Sequence, residues 1–184
     1  LSGGARAGRR GVKKRRVLIV DGYNVINARA HSGTLEDARE SLIRELQDYA
    51  GYTGQKIIVV FDAWLGDRRA RSVEERGRVT VVFTRKGETA DHFIEHTCDG
   101  YAEDVSMRRM EIRVATSDAL EQTIILGRGA ARMSSRELLL EMNSVRTHGA
   151  ASLPRKGGSR ATIGERIPAH VMEKLKDMFP KNKG

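Results

Sequence analysis

Four runs of apolar, mostly β-branched residues recur along the chain, separated by more polar stretches. These runs are VLIV (17–20), IIVVF (57–61), VTVVF (79–83) and IRVA (112–115). Because they are continuous rather than alternating, they predict strands buried on both faces, as in a parallel sheet. A short fifth strand is predicted at ARMS (131–134), and Ser134 with Glu137 has the spacing of a capping box that starts a helix.

Helical patterns lie between the apolar runs. Residues 35–49 place their apolar side chains on one stripe, and Gly51 and Gly54 follow as stop signals. Residues 90–102 and 119–126 are predicted as two further helices. The alternation of strands and helices predicts a doubly wound α/β fold, with an open, mainly parallel sheet and helices on both faces.

The pattern changes after the body, which is predicted over residues 17–146. Residues 147–166 are rich in Gly, Ser and basic side chains and predict a flexible basic loop. Pro168 then opens a short amphipathic helix within residues 167–184, which we expect to dock on the body.

The net charge of +9 is concentrated at the two ends of the chain. Residues 1–16 hold seven Lys and Arg and no acid, residues 17–142 carry a net charge of −4, and residues 143–184 carry +6. Basic arms suit a polyanion such as nucleic acid, and a solubilising tail is the alternative. The first 16 residues lack the apolar segment of a secretory signal. We therefore expect a cytoplasmic protein, or one in the plastid stroma if this arm is the remnant of a transit peptide.

Length and cysteine content narrow the class of protein further. The 184 residues suffice for one domain with a core plus extensions. No apolar run approaches the ~20 residues of a membrane span, so no membrane is expected as a partner. Cys98 is the only cysteine, which excludes an intrachain disulfide and a multi-cysteine zinc site. The sequence does not indicate an oligomeric state.

Acidic residues follow every one of the four main strands. They are Asp21, Asp62, the pair Glu88 and Asp91, and Asp118. Ligands of open α/β sheets bind beyond the carboxyl ends of the strands, so these carboxylates are expected to gather at one edge. Their mutual repulsion would be relieved by a hard divalent cation such as Mg²⁺ or Mn²⁺. Asp62 is the weakest member, because FDAW can also end a strand with an Asx turn.

Two neighbours of these acids bear on how the acids are placed. Thr89 is a predicted N-cap, which puts Asp91 in the first helical turn with Glu88 on the same side. The alternative is that both acids only stabilise the start of a helix. Asn24, three residues after Asp21, can orient that carboxylate or donate to a phosphate oxygen, and a turn residue is the alternative.

An acidic metal site in a protein with basic arms indicates hydrolysis of phosphodiesters. Arg85 and Lys86 lie beside the acids in the sequence. They are candidate contacts to the phosphates of a nucleic acid, as are Arg155 and Lys156 in the basic loop, although exposed loop bases are also ordinary.

At this point five motifs resemble one known family. VLIVDGYNVI, IIVVFDA, VVFTRKGETADHFIE, VATSDALEQ and MSSREL resemble the NYN domain of the PIN-like nuclease superfamily, in particular its YacP branch. The resemblance covers about residues 15–142. It implies a PIN-like α/β fold and a metal-dependent endoribonuclease that acts on mRNA on ribosomes, which makes the ribosome and its rRNA expected partners.

The resemblance also implies roles for single residues. It assigns the metal to Asp21, Asp91 and Asp118. Asn24 matches the polar companion of the first acid, and Glu88 is expected to assist directly or through water. Many relatives carry another acid one helical turn after the last one, where this chain has Gln122, and this departure speaks against a complete second metal site.

Three other functions compete with the nuclease. His92 to His96 fits the zinc-protease pattern H-x-x-E-H, but that site needs a third ligand and a different fold. An aspartyl phosphatase would need an acid where Tyr23 stands. The serious rival is a non-catalytic RNA- or ribosome-binding module of the same fold. Its binding would weaken with salt and ignore Mg²⁺, whereas cleavage would need both the metal and the acids.

Overall fold

The apolar runs form the centre of one six-stranded sheet. A computed structural model of the protein describes residues 15–63, 70–103, 110–117 and 130–151. The strands are β1 (Arg15–Asp21), β2 (Lys56–Phe61), β3 (Ser72–Arg76), β4 (Val79–Phe83), β5 (Met110–Ala115) and β6 (Ala131–Met133), in the spatial order β3-β4-β2-β1-β5-β6. All neighbours pair in parallel except β3 and β4, which are antiparallel. The predicted open, mainly parallel sheet is confirmed.

The edge strand β3 is the strand that the apolar pattern did not predict. Its sequence, SVEER, contains one apolar residue, Val73, and that side chain is exposed. Its Arg76 is held by ion pairs to Glu40 (2.8 Å) and Glu74 (3.0 Å). This strand forms because it pairs with the buried strand β4 and turns back at Gly77, where φ is +67°.

Helices cover both faces of the sheet. They are α1 (Gly22–Asn27), α2 (Leu35–Thr53), α3 (Ala90–Glu103) and α4 (Ser135–Ala151). Leu18 and Val20 of β1 pack with α1, α2 and α4, whereas Val17 and Ile19 pack with α3. Because side chains alternate along a strand, Asp21 belongs to the α3 side. No helix in the described part of the chain is both long and apolar enough to cross a membrane.

The helix boundaries follow local capping signals. A capping box of Thr34 and Asp37 starts α2, which runs through Gly51 and ends at Gly54, where φ is +70°. The predicted box at α4 is confirmed, because Ser134 N donates to Glu137 Oε2 (2.6 Å) and Glu137 N donates to Ser134 Oγ (3.2 Å).

Two elements extend into segments that the sequence assigned differently. Strand β1 begins at Arg15, so Arg15 and Arg16 of the predicted basic arm pair with β5. Helix α4 continues to Ala151, so the predicted loop at 147–166 begins with helical residues. The predicted helix at 119–126 and the C-terminal helix within 167–184 lie outside the described residues.

Gly22 lies where β1 passes into α1, against the buried ring of Phe61. A Cβ at this position would lie 2.2 Å from Phe61 Cε1. The Phe61 ring is held by Tyr23 (centroids 5.3 Å apart) and Phe83 (5.5 Å), so it cannot move aside freely. Packing against Phe61 therefore requires glycine at the second position of the DGYN motif.

We expect Gly22→Ala to lower the free energy of unfolding by about 1–3 kcal/mol, which is the usual cost of overpacking. Urea denaturation measures the change. Gly51→Ala is the matched control, because nothing lies within 4 Å of its added Cβ on α2. This control should be neutral or should stabilise the protein by up to about 1 kcal/mol. Equal effects of the two substitutions would contradict the packing argument.

Candidate active site

The candidate site lies at the carboxyl edge of the sheet, where the chain changes direction. From β1 the chain builds β2 and β4 on one side, and it then returns through α3 to place β5 on the other side of β1. The gap between the ends of β1 and β5 is a topological switch point. Ligands of open α/β sheets bind at such points.

Asp21 ends β1 at this point, and Asn24 holds its carboxylate. The Asp21 side chain is largely buried, with 5% of the residue exposed. Asn24 N donates to Asp21 Oδ1 (2.9 Å), and Asn24 Nδ2 donates to Asp21 Oδ2 (2.8 Å). The chain passes here into the first turn of α1, which is capped by Asp21 itself. Asn24 therefore orients the carboxylate, which is one of the roles that the sequence left open.

Asn24 also links the two strands that flank the switch point. Its Nδ2 donates to Oγ1 of Thr116, 3.3 Å away, at the end of β5. Thr116 is fully buried, and its N–H donates to Met133 O of β6 (3.2 Å). Sequence reasoning missed Thr116, although its position directly after a buried strand and two residues before Asp118 was a usable signal.

Asp62 stabilises the start of α3. Its Oδ1 accepts hydrogen bonds from the N–H of Ala90 (2.9 Å) and from the hydroxyl of Thr84 (3.3 Å). Thr84 is fully buried, and its Oγ1 accepts from Ala63 N (3.0 Å). Asp62 therefore fixes where α3 begins, a role that the sequence left open.

Asp91 lies in the first turn of α3, as predicted. Thr89 Oγ1 accepts from His92 N (3.2 Å), which confirms Thr89 as the cap. Asp91 is half-buried and occupies the position directly after Ala90, the residue that Asp62 holds. The backbone next to Asp91 is thus held at the carboxyl edge of the sheet by the bond between Ala90 and Asp62.

The carboxylates at this edge act on one another electrostatically. The pKa of Asp21 is raised, mainly by burial; the hydrogen bonds from Asn24 oppose this, and the charges of Asp91 and Asp62 add to it. The pKa of Asp62 is also raised, first by burial and then by the charges of Asp91 and Glu88, while its bonds from Ala90 and Thr84 oppose the shift. Asp91 therefore lies close enough to both other acids to disfavour their ionised forms.

This donor chemistry fits a hard divalent cation, although the described part of the site is incomplete. Carboxylate oxygens are the ligands that Mg²⁺ and Mn²⁺ prefer, and a cation would relieve the repulsion. Within residues 15–63, 70–103, 110–117 and 130–151, no group of three His, Cys, Asp and Glu side chains is arranged to hold a metal. The third predicted ligand, Asp118, lies outside those residues, as do Gln122, Arg155 and Lys156.

Glu88 is engaged by Arg71, which sequence reasoning missed. Arg71 Nε donates to Glu88 Oε2 (3.2 Å), Arg71 Nη2 pairs with Glu88 Oε1, and the Arg85 N–H also contacts Oε2 (3.3 Å). The guanidinium carbon of Arg71 lies 4.8 Å from the centre of the Phe93 ring. A direct metal contact by Glu88 would have to compete with this ion pair.

The remaining predicted residues lie around the same loop. Arg85 and Lys86 are exposed in the turn between β4 and α3, beside Gly87 with φ of +84°. In the H-x-x-E-H segment, Phe93 and Ile94 are buried, so this face of α3 belongs to the core. Its histidines belong to no metal-binding group among the described residues.

The fold and the candidate site define a mainly parallel α/β domain with acidic residues at the carboxyl edge of its sheet. The family model for the YacP-like NYN domain matches residues 18–180, and the chain belongs to that family. The resemblance found in the motifs is thereby confirmed.

The chain is similar to a protein of Bacillus subtilis, in both sequence and structure. The chain is 41% identical over 134 residues to YacP of Bacillus subtilis (strain 168), which is described as uncharacterized, across 70% of this chain and 76% of that protein. Crystal structures of Rae1 (YacP) from Bacillus subtilis and of a mutant of it are 38% identical to this chain. The structure without the mutation matches with a TM-score of 0.60 and covers 73% of this chain and 78% of its own. The mutant matches with a TM-score of 0.61 and covers 74% of this chain and 80% of its own.

Proposed function

We propose that this protein is a metal-dependent endoribonuclease, with mRNA on the ribosome as its substrate. The observation that carries the proposal is that the buried Asp21 and the partly buried Asp62 lie with Asp91 at the switch point of a YacP-like NYN domain, where the charge of Asp91 adds to the pKa rise of both. Carboxylates that are buried beside another negative charge are costly for the fold. Such a cost is typical of a site that works with a cation bound.

The proposed roles follow from the positions of the side chains. Asp21 and Asp91, with Asp118 outside the described residues, would hold Mg²⁺ or Mn²⁺. When bound, the cation would polarise the scissile phosphate and supply an activated water. Asn24 keeps both Asp21 oxygens in one orientation.

The basic residues would bind the RNA backbone. Arg85 and Lys86 are exposed on the loop that leads into α3 and would contact phosphates next to the acids. Arg155 and Lys156, outside the described residues, and the basic arms would bind mRNA or rRNA more generally.

The deciding experiment compares wild type with Asp91→Asn on end-labelled free RNA and on translating ribosomes, with Mn²⁺, Mg²⁺ or EDTA. Wild type should cut at least one of the two substrates, and only when metal is present. Asp91→Asn should cut neither, although it folds and still binds RNA or ribosomes. Glu103→Gln is the matched control, because Glu103 is exposed on the same helix far from the acids in sequence.

A different pattern would favour the binding module instead. If neither protein cuts either substrate and both bind RNA or ribosomes equally, the nuclease proposal is wrong. Binding by the arms alone would then fall with salt and be indifferent to Mg²⁺.

A further inference from the structure

A second group of side chains lies at the same sheet edge, on the side of α2. Arg39 of α2 donates from Nη1 to the hydroxyl of Tyr23 (3.0 Å). Its guanidinium carbon lies 5.8 Å from the centre of the Phe83 ring. Behind them, the buried Phe61 contacts both Tyr23 and Phe83. We call Tyr23, Arg39 and Phe83 the aromatic–arginine layer.

The guanidinium of Arg39 is fixed in place while part of it remains accessible. Besides Tyr23 and Phe83, it contacts Glu36 Oε2 at 3.4 Å, and its side chain is 21% exposed. An arginine on a helix surface ordinarily loses much rotamer freedom when it binds a ligand. Because Arg39 is already held, little of that cost remains, and its planar cation is ready to stack on a base.

The layer and the acids lie on opposite faces of one edge. Phe61 and Phe83 are register partners at the ends of β2 and β4 and face α2, whereas Asp21 belongs to the α3 face. Tyr23 comes two residues after Asp21 and directly before Asn24. A single strand that crosses the edge with a phosphate at the acids would bring a neighbouring base to the layer.

We propose that the aromatic–arginine layer binds a base of single-stranded RNA next to the phosphate that is cut, with Arg39 as the stacking surface. This inference rests on the proposed function. Bases stack on arginine planes and on aromatic rings with little regard to sequence, so the layer would select single-stranded RNA rather than a sequence.

The test measures binding without cleavage. In EDTA, the dissociation constants of the full chain for a short oligoadenylate and for an abasic chain of equal length are compared. Both carry the same backbone charge, so their ratio reports contacts to bases. We expect the base-containing RNA to bind about 5- to 100-fold more tightly. Arg39→Lys keeps the charge but loses the planar group, so it should bring the ratio of the two dissociation constants most of the way to 1.

Two further variants complete the test. Tyr23→Phe removes only the hydroxyl that anchors Arg39 and should reduce the ratio in part while it folds normally. Arg44→Lys, exposed on the same helix, should leave the ratio unchanged. If wild type shows no preference for bases, or if Arg39→Lys and Tyr23→Phe keep the full preference, the layer is not a base-binding site. Because no cleavage is measured, this failure is distinct from absence of nuclease activity.

Discussion

Asp21→Asn is expected to remove RNA cleavage. In the metal-free protein, its free energy of unfolding is also expected to fall less than that of wild type between acidic and neutral pH. The activity loss should be about 100-fold or more, since even residues that only orient metal ligands cost 10–100-fold. The effect on stability follows from the environment of the carboxylate. Burial raises the pKa of Asp21, Asn24 partly opposes this, and the charges of Asp91 and Asp62 raise it further.

The sign of the pH dependence follows from that shift. A carboxyl whose pKa is higher in the folded than in the unfolded chain binds protons more readily when folded. Its contribution to stability is full below the unfolded pKa, near 3.8, and is lost as the pH rises through the raised folded value. Asp62 contributes in the same direction. Metal-free wild type should therefore lose stability from Asp21 and Asp62 across this range.

Urea denaturation in EDTA at a series of pH values measures the difference. Asp21→Asn should show a smaller decline with rising pH than wild type, and Asp48→Asn, an exposed position on α2, should match wild type. Mn²⁺ should raise the melting temperature of wild type at pH 7 and not that of Asp21→Asn, because a ligand that binds only the folded state stabilises it. Identical pH profiles and equal metal shifts for all three proteins would refute the electrostatic account of the site.

The strands and the acidic edge were predictable because their signals are local. Buried parallel strands require continuous apolar runs, and each of the four main runs became a strand. An acid directly after such a run can only lie at the carboxyl edge, which is how Asp21 was found. Thr89 was found as a cap because capping depends on residues within one helical turn.

The features that sequence reasoning missed depend on tertiary partners. Strand β3 has no apolar signal, because it forms by pairing with β4 at the edge of the sheet. Asp62 looked like a turn residue, and only the position of α3 shows that it binds the N–H of Ala90. Thr116 is distant in sequence from Asn24, and the two meet because β5 returns beside β1. No pattern of neighbouring residues in the sequence shows which of these distant residues meet in the fold.

The ion pair between Glu88 and Arg71 also depends on tertiary structure. Breaking it is expected to have the largest effect on the free energy of unfolding. The two side chains are 9% and 11% exposed, so their charges are largely shielded from water. Removing one member of such a pair leaves a buried, unpaired charge. We expect Arg71→Met to lower the free energy of unfolding by about 3 kcal/mol, measured by urea denaturation at pH 7.

Arg76→Met is the matched control for this substitution. Arg76 also forms ion pairs, with Glu40 and Glu74, but these side chains are 33–44% exposed. Exposed pairs are worth at most about 1 kcal/mol, so this variant should remain close to wild type. An equal loss in Arg71→Met and Arg76→Met would show that burial of the Glu88 pair has no special effect.

The double variant Arg71→Met/Glu88→Leu then separates two roles of Glu88. Removing both charges leaves no buried unpaired charge, and water can bind the exposed Arg85 N–H that Glu88 accepted from, so most of the lost stability should return. Glu88 either positions the loop that leads to Asp91, or it works directly on the metal or its water. The contacts of both Glu88 oxygens with Arg71 favour positioning. In that case the stable double variant should keep measurable cleavage, well above that of Asp91→Asn. A double variant that is as stable as wild type and as inactive as Asp91→Asn would instead assign Glu88 to the chemistry.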